Sequence, residues 1–178
     1  MNSVEDLKEK IRNIPDFPKE GITFRDITTL IQDPASFQFV IDHWAEHYKD
    51  KDIDVILGIE SRGFIFGAAL AYAMGKEFAI ARKPGKLPFD VFKEEYELEY
   101  GVDALEVHKD AFVAGQNILL IDDLLATGGT MEAAAKLVEK AGGKVQGIAF
   151  VVELSDLNGR EKINDYDVYS LLKYDENE

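Results

Sequence analysis

The residues whose types and spacing could do chemistry concentrate in one run, ILLIDDLLATGGT, from Ile118 to Thr130. Four apolar residues predict a strand, and Asp122 and Asp123 stand at its carboxyl end. Ala126, Thr127, Gly128, Gly129 and Thr130 then form a small-residue loop that leads into a helix. The backbone N–H groups of such a loop, backed by the positive end of the helix, cradle a phosphate dianion. Gly128 and Gly129 permit close approach, and the hydroxyls of Thr127 and Thr130 add donors. The two acids would repel that phosphate, so they suit sugar hydroxyls or a hydrated divalent cation. A phosphate site beside a diol site describes a phosphorylated sugar. No Lys-Ser/Thr follows the glycines, as a Walker A loop requires, and the G-x-G-x-x-G dinucleotide fingerprint is absent. The plain alternative is an acidic strand end followed by a glycine turn.

The elements that must position these groups alternate along the chain. Val4, Leu7, Ile11 and Ile14 predict a first helix capped by Ser3, and PDFPKEGITFRDIT predicts an irregular loop. Asp33-Pro34 opens a second helix with Phe37, Val40, Ile41, Trp44 and Tyr48 on its apolar face. DVILGI, FAIAR, NILLID, VQGIAFVVEL and VYSLL read as buried strands, with helices over Gly63 to Met74 and Thr130 to Ala141 between them. This alternation predicts an α/β fold: a mainly parallel central sheet with helices on both faces, and ligands beyond the carboxyl ends of its strands. Lys83 to Gly115 is too long for a simple connection. Tyr96, Leu98 and Tyr100 alternate with glutamates, and Leu105 and Val107 alternate with Glu106 and His108, which predicts a flexible hairpin lid over 83–115.

Composition narrows the function. The chain has 178 residues, suited to a single domain spanning 1–178. A formal net charge of -14 works against non-specific attraction to nucleic acid or anionic lipid, but tolerates an anionic small substrate that meets a local basic patch. There is no cysteine, which removes disulfides, thiolate zinc sites and cysteine nucleophiles and fits a reducing cytoplasm. The opening MNSVEDLKEKIRN is charged and lacks the apolar core of a secretion signal, and Gly63 to Gly75 is too short an apolar run to span a membrane. His43 and His47 have a metal-compatible i, i+4 spacing without a third ligand or an H-E-x-x-H pattern, and read as boundary residues.

IDDLLATGGT resembles the phosphoribosyl-pyrophosphate (PRPP) motif of the type I phosphoribosyltransferases. FPKEGITFRDIT (Phe17 to Thr28), GIESRGFIFG (Gly58 to Gly67), LEYGVDALEVHKD (Leu98 to Asp110) and VELSDLNGREK (Val152 to Lys162) narrow the resemblance to the branch of that family acting on adenine. It covers nearly the whole chain in order. It implies a homodimer that uses PRPP, adenine and Mg²⁺ and makes AMP and pyrophosphate, a purine-salvage reaction. It further implies that Asp122 and Asp123 hold the ribose hydroxyls, that Ala126 to Thr130 hold the 5-phosphate, and that Mg²⁺ arrives on PRPP, reaching Asp122 or Asp123 through water. Glu60, Ser61 and Arg62 would grip the pyrophosphate, with Arg62 acting in catalysis, and Arg82, Lys83 and Lys86 would neutralise it as it leaves. Residues 1–32 would form a hood over the base. In it Phe24 stacks on adenine opposite Leu154, and the backbone around Thr23 and Arg25 reads the N1 and N6 edge. In the lid, Glu99 would handle the imidazole proton and Tyr100 would help to exclude water.

Two positions depart from common family patterns. Ala126 stands where 6-oxopurine enzymes usually carry an aspartate facing the base, which shifts the expectation toward adenine. Glu20 replaces a proline found in some relatives and reads as a neutral change. The competing expectations are transfer to another purine such as xanthine, or a non-catalytic PRPP or nucleotide sensor. A DNA-bound sensor needs a further module and a basic face, for which the chain has neither room nor charge. A receiver domain would carry paired acids after its first strand, not this deep in the chain.

Overall fold

The computed structural model describes residues 3–97 and 101–175. Its centre is a five-stranded, wholly parallel sheet. The strands are β3 (Val55–Ile59), β4 (Glu77–Ala81), β7 (Asn117–Leu125), β8 (Lys144–Leu154) and β9 (Val168–Tyr174), ordered β4-β3-β7-β8-β9. β7 occupies the middle because it is apolar on both faces: Leu119 and Ile121 join one core cluster, and Ile118 and Leu120 join the other.

Helices cover both faces, as the alternation predicts. α2 (Pro34–Tyr48) and α3 (Gly63–Met74) enclose the first core, where Val40, Trp44, Tyr48, Phe66 and Leu70 are fully buried. Asp33 caps α2 by accepting a bond from the Ser36 amide at 3.3 Å, with Pro34 in the first turn. α4 (Gly129–Lys140) covers the second core, burying Met131, Ala134, Leu137 and Val138.

Three local expectations need revision. The first helix is a short 3-10 turn over Glu5–Lys10, and Ile14 lies instead in β1 (Arg12–Ile14). The Pro- and Gly-broken loop contains a short strand, β2 (Phe24–Asp26), antiparallel to β1, and is followed by a five-residue helix, α1 (Thr28–Gln32). A ribbon of two three-residue strands, paired from Arg12 with Asp26 to Ile14 with Phe24, leaves no periodicity to read. The third strand continues past Asp122 to Leu125, so the paired acids lie within pairing range of β8.

The long connection does form a hairpin, β5 (Val91–Glu97) with β6 (Val102–His108). Most of it is part of the fold: Leu105 and Val107 are fully buried, Tyr96, in the second pair from the tip, is nearly so, and the Arg82 and Glu106 backbones bond to each other at 2.8 and 2.9 Å. Any lid motion is therefore confined to the outer end. Leu105→Ala should lower the unfolding free energy by about 2–5 kcal/mol, the usual cost of a buried leucine. Urea titration checks this, and a loss below about 0.5 kcal/mol would mean that the hairpin stands apart from the core.

Candidate active site

The site forms where β3 ends alongside Ile121 and Asp122 and where β7 runs on to end at Leu125. After β3 the chain turns through Glu60, Ser61 and Arg62 into α3; the Glu60–Ser61 peptide is cis. After β7 it turns through Ala126, Thr127 and Gly128 into α4. Two helix starts thus face one crevice, the arrangement in which open parallel sheets bind ligands.

Glycine makes this approach possible. A methyl on Gly63 would lie 2.6 Å from the Ile121 carbonyl oxygen and 3.0 Å from Asp122 Oδ1, so α3 begins in direct contact with the middle of β7, where the paired acids start. Gly128 has φ +81°, a conformation that favours glycine, and caps α4 without a side chain. Residues Asp122, Leu124, Leu125, Ala126, Thr127, Gly128, Thr130, Met131 and Phe150 line a cavity of about 90 Å³ at this helix start. Its lining holds two hydroxyl-bearing residues and a helix start, donor types suited to an anion.

The two acids are inequivalent: Asp122 lines the cavity and Asp123 does not. Asp123 is buried, and its Oδ2 lies 2.6 Å from Arg62 Nε, while the arginine remains half exposed. Asp122 accepts a bond from the Asp123 amide at 2.9 Å. Burial, reinforced by the neighbouring Asp123 charge, pushes the Asp122 carboxyl well above the ordinary range, with Arg62 opposing. The sequence-predicted Asp122, Asp123 and Arg62 therefore form one connected group.

Glu60 pairs with Arg82 in a two-pronged contact, Nη2–Oε1 at 3.0 Å and Nε–Oε2 at 3.3 Å, and accepts from the Lys83 amide at 2.7 Å. These bonds, led by Arg82, hold the Glu60 carboxyl below its usual range. Glu60 thus orients the basic loop. The Lys83 ammonium faces the hairpin, bonded to Tyr96 Oη at 2.8 Å and to Asp103, which it holds below the ordinary carboxylate range. Lys86 is exposed, and its carbonyl accepts weakly from Arg82 at 3.4 Å.

On the base side, Phe24 is half-buried, with Phe17 edge-on at 5.3 Å, and Thr23 is exposed. Arg25 is buried, its guanidinium 4.2 Å from the centre of the Tyr174 ring. Tyr174 pairs with Leu154 across β8 and β9, so the hood rests on the strand ends that carry Leu154. Asp26 accepts from the Thr28 hydroxyl at 2.6 Å, which, with weaker help from Arg12 and Arg62, holds its carboxyl below the ordinary range. Glu99 and Tyr100 lie outside the described residues.

Gly63 and Gly159 are site-building residues that motif reasoning passed over. A methyl on Gly159 would meet the Ala126 carbonyl oxygen at 2.0 Å, and one on Gly128 would meet the Gly159 carbonyl oxygen at 2.2 Å. The available signal was the Asn158-Gly159 turn dipeptide.

Comparison with known proteins agrees with this geometry. The phosphoribosyl transferase domain family matches residues 27–177. An adenine phosphoribosyltransferase of Clostridium perfringens is 59% identical over 169 residues, covering 95% of this chain and 98% of the relative. The crystal structure of adenine phosphoribosyltransferase from Thermoanaerobacter pseudethanolicus superposes with a TM-score of 0.93 at 51% identity, covering 97% of this chain and 100% of that one. The Saccharomyces cerevisiae enzyme, complexed with an imino-altritol bisphosphate and adenine, gives 0.90 at 44% identity over 95% and 98% of the two chains. Strand order, paired acids, the small cavity at the α4 start and near-complete alignment agree: the chain belongs to the phosphoribosyltransferase family, in its adenine phosphoribosyltransferase branch.

Proposed function

We propose that this chain transfers the 5-phosphoribosyl group of PRPP to N9 of adenine, giving AMP and pyrophosphate, as a cytoplasmic homodimer. The strongest support from geometry is the juxtaposition of a small cavity at the α4 start with the half-buried Asp122, the buried Asp123 and the Arg62 loop. The 5-phosphate enters the cavity, donors coming from the loop backbone and the Thr127 and Thr130 hydroxyls. Arg62 exchanges Asp123 for pyrophosphate, which frees the carboxylates to accept bonds from the ribose hydroxyls.

Bond breaking at C1 leaves positive charge on the sugar and negative charge on the departing pyrophosphate. Arg62 and Arg82 stabilise the latter, and Lys83 joins them by releasing Asp103. Among the described residues no group of three or more His, Cys, Asp or Glu side chains forms a metal cage. The donors present, Asp122 and Asp123, fit Mg²⁺ that arrives on PRPP and meets the protein through water. Bound there, Mg²⁺ supplies charge neutralisation on the pyrophosphate. Phe24 and Leu154 flank the base, the outer hairpin closes to exclude water, and Glu99 takes the imidazole proton. Ala126 presents no polar side chain that would favour a 6-oxopurine.

A self-association surface is available on α3. Ile65, Ala68 and Tyr72 recur on one exposed stripe, with Tyr72 90% exposed, and Phe78 of edge strand β4 is also partly exposed. Among the described residues no helix is long and apolar enough to cross a membrane.

Incubation with PRPP, Mg²⁺ and single bases should release pyrophosphate with adenine and at least about 10⁴-fold less efficiently with guanine or hypoxanthine, because groups built for an amino edge stay unpaired against a carbonyl. Comparable rates with guanine would reject adenine specificity, and release with xanthine alone would favour the other-purine alternative. Replacing both Asp122 and Asp123 by Asn should raise the KM for PRPP, lower kcat and leave the circular dichroism spectrum unchanged; parental kinetics would reduce the acids to surface charge. Glu99→Gln should lower kcat about 10²–10⁴-fold with little change in PRPP affinity, while Glu95→Gln and Glu97→Gln stay near parental rates. Single-turnover measurements separate these effects, and three parental rates would place the proton acceptor elsewhere.

A further inference from the structure

The segment that follows β8 joins the base side of the site to its phosphate side. Leu154 ends β8, 3-10 turns occupy Ser155–Leu157 and Gly159–Ile163, and Asn158 between them takes a left-handed conformation with φ 52°. Gly159 is buried against the 5-phosphate loop. A methyl there would lie 2.0 Å from the Ala126 carbonyl oxygen and 2.9 Å from the Gly128 nitrogen, both backbone atoms that cannot rotate aside. The reciprocal contact, from Gly128 to the Gly159 carbonyl oxygen, is just as close at 2.2 Å. The two backbones therefore touch, and moving one moves the other.

Arg160, the next residue, anchors this contact. Its Nε donates to Glu153 Oε1 at 3.0 Å and its Nη2 to Glu153 Oε2 at 2.5 Å. Nη1 donates to the Val168 carbonyl at 2.8 Å, and Nη2 also reaches Ser170 Oγ at 3.3 Å. Glu153 is 5% exposed and immediately precedes Leu154. One guanidinium thus ties the turn after Gly159 to the strand carrying Leu154 and to neighbouring β9. This fork is specific to arginine, because a lysine ammonium cannot hold a carboxylate in two places while bonding a carbonyl on another strand.

We propose that Gly159 and the Glu153–Arg160 pair are positioning groups for phosphoribosyl transfer: they set the distance between the base-facing end of β8 and the 5-phosphate loop. The proposal rests on the adenine phosphoribosyltransferase reading above. Neither group touches substrate. They act through Leu154 on one side and through Ala126 and Gly128 on the other. A product that spans both sides needs both held in register, whereas ribose 5-phosphate alone needs only the loop.

The test is calorimetric binding of ribose 5-phosphate and of AMP to the full-length protein and two variants, with steady-state kinetics alongside. Gly159→Ala displaces the loop and should weaken ribose 5-phosphate on the order of 10- to 100-fold, with a matching rise in the KM for PRPP. Arg160→Lys leaves the loop free of any clash but loosens the anchor. It should weaken AMP several-fold more than ribose 5-phosphate and lower kcat more than it raises the KM for PRPP. A purely structural role would lower the melting temperature and weaken both ligands equally. Parental affinities in a folded Gly159→Ala protein, or an equal loss of both ligands in Arg160→Lys, overturn the proposal. If Gly159→Ala does not fold, the Arg160→Lys ratio decides alone. A parental protein that binds neither ligand rejects the underlying function instead.

Discussion

The site is measured from the point where α3 meets β7. At Gly63 even a methyl group would strike the Ile121 carbonyl, so the helix start and the middle of the strand lie at backbone contact. That contact brings Arg62 to Asp123 and sets the Glu60–Arg62 loop beside the Ala126–Gly128 loop. The contact is affordable only because β7 is buried on both faces and flanked by parallel neighbours, which leaves the strand no freedom to withdraw. A core packed for stability thereby sets the spacing of a site built for catalysis.

Charge is organised around the same point. In a chain with net charge -14, the basic groups near the crevice are held by acids: Arg62 by Asp123, Arg82 by Glu60 and Lys83 by Asp103. The Arg82–Glu60 and Lys83–Asp103 pairs are partly exposed and contribute little to stability, so exchanging their acid partners for phosphate oxygens costs little, whereas the buried Asp123 needs a new partner when Arg62 leaves it. What the pairs provide is orientation, since a guanidinium already fixed by a carboxylate faces a short list of alternatives when an anion arrives. The raised Asp122 carboxyl follows from the same crowding, because two adjacent acids taken from water have only one arginine between them.

The sequence was most informative where a pattern is local and long. The α3 limits, the Asp33-Pro34 start of α2 and the five strands were legible because burial on one or both faces imposes a period on the residues themselves. The Asp122 to Thr130 run was legible because acids, small residues and hydroxyls in that order have few other uses. The β1–β2 ribbon was not, since three-residue strands carry no period and their pairing depends on a hood that packs against β9. Nor was the burial of the hairpin base: alternation marked β5 and β6 as strands, but Leu105 and Val107 gave no sign of which surface would receive them. Gly159 stayed silent for the same reason, its neighbour being Gly128, 31 positions away in the chain.

The seam between Arg25 and Tyr174 has a consequence for the order of assembly. Contacts between distant positions close late, because the entropy of the intervening chain must be lost first. The β3–α3–β4 and β7–α4–β8 units are local and can form early. The Arg25–Tyr174 contact, made by one of the first strands, has to wait until β9 has been synthesised and added to the sheet edge. A nascent chain therefore passes through a stage in which the centre of the sheet is built and the seam that closes the hood is still open.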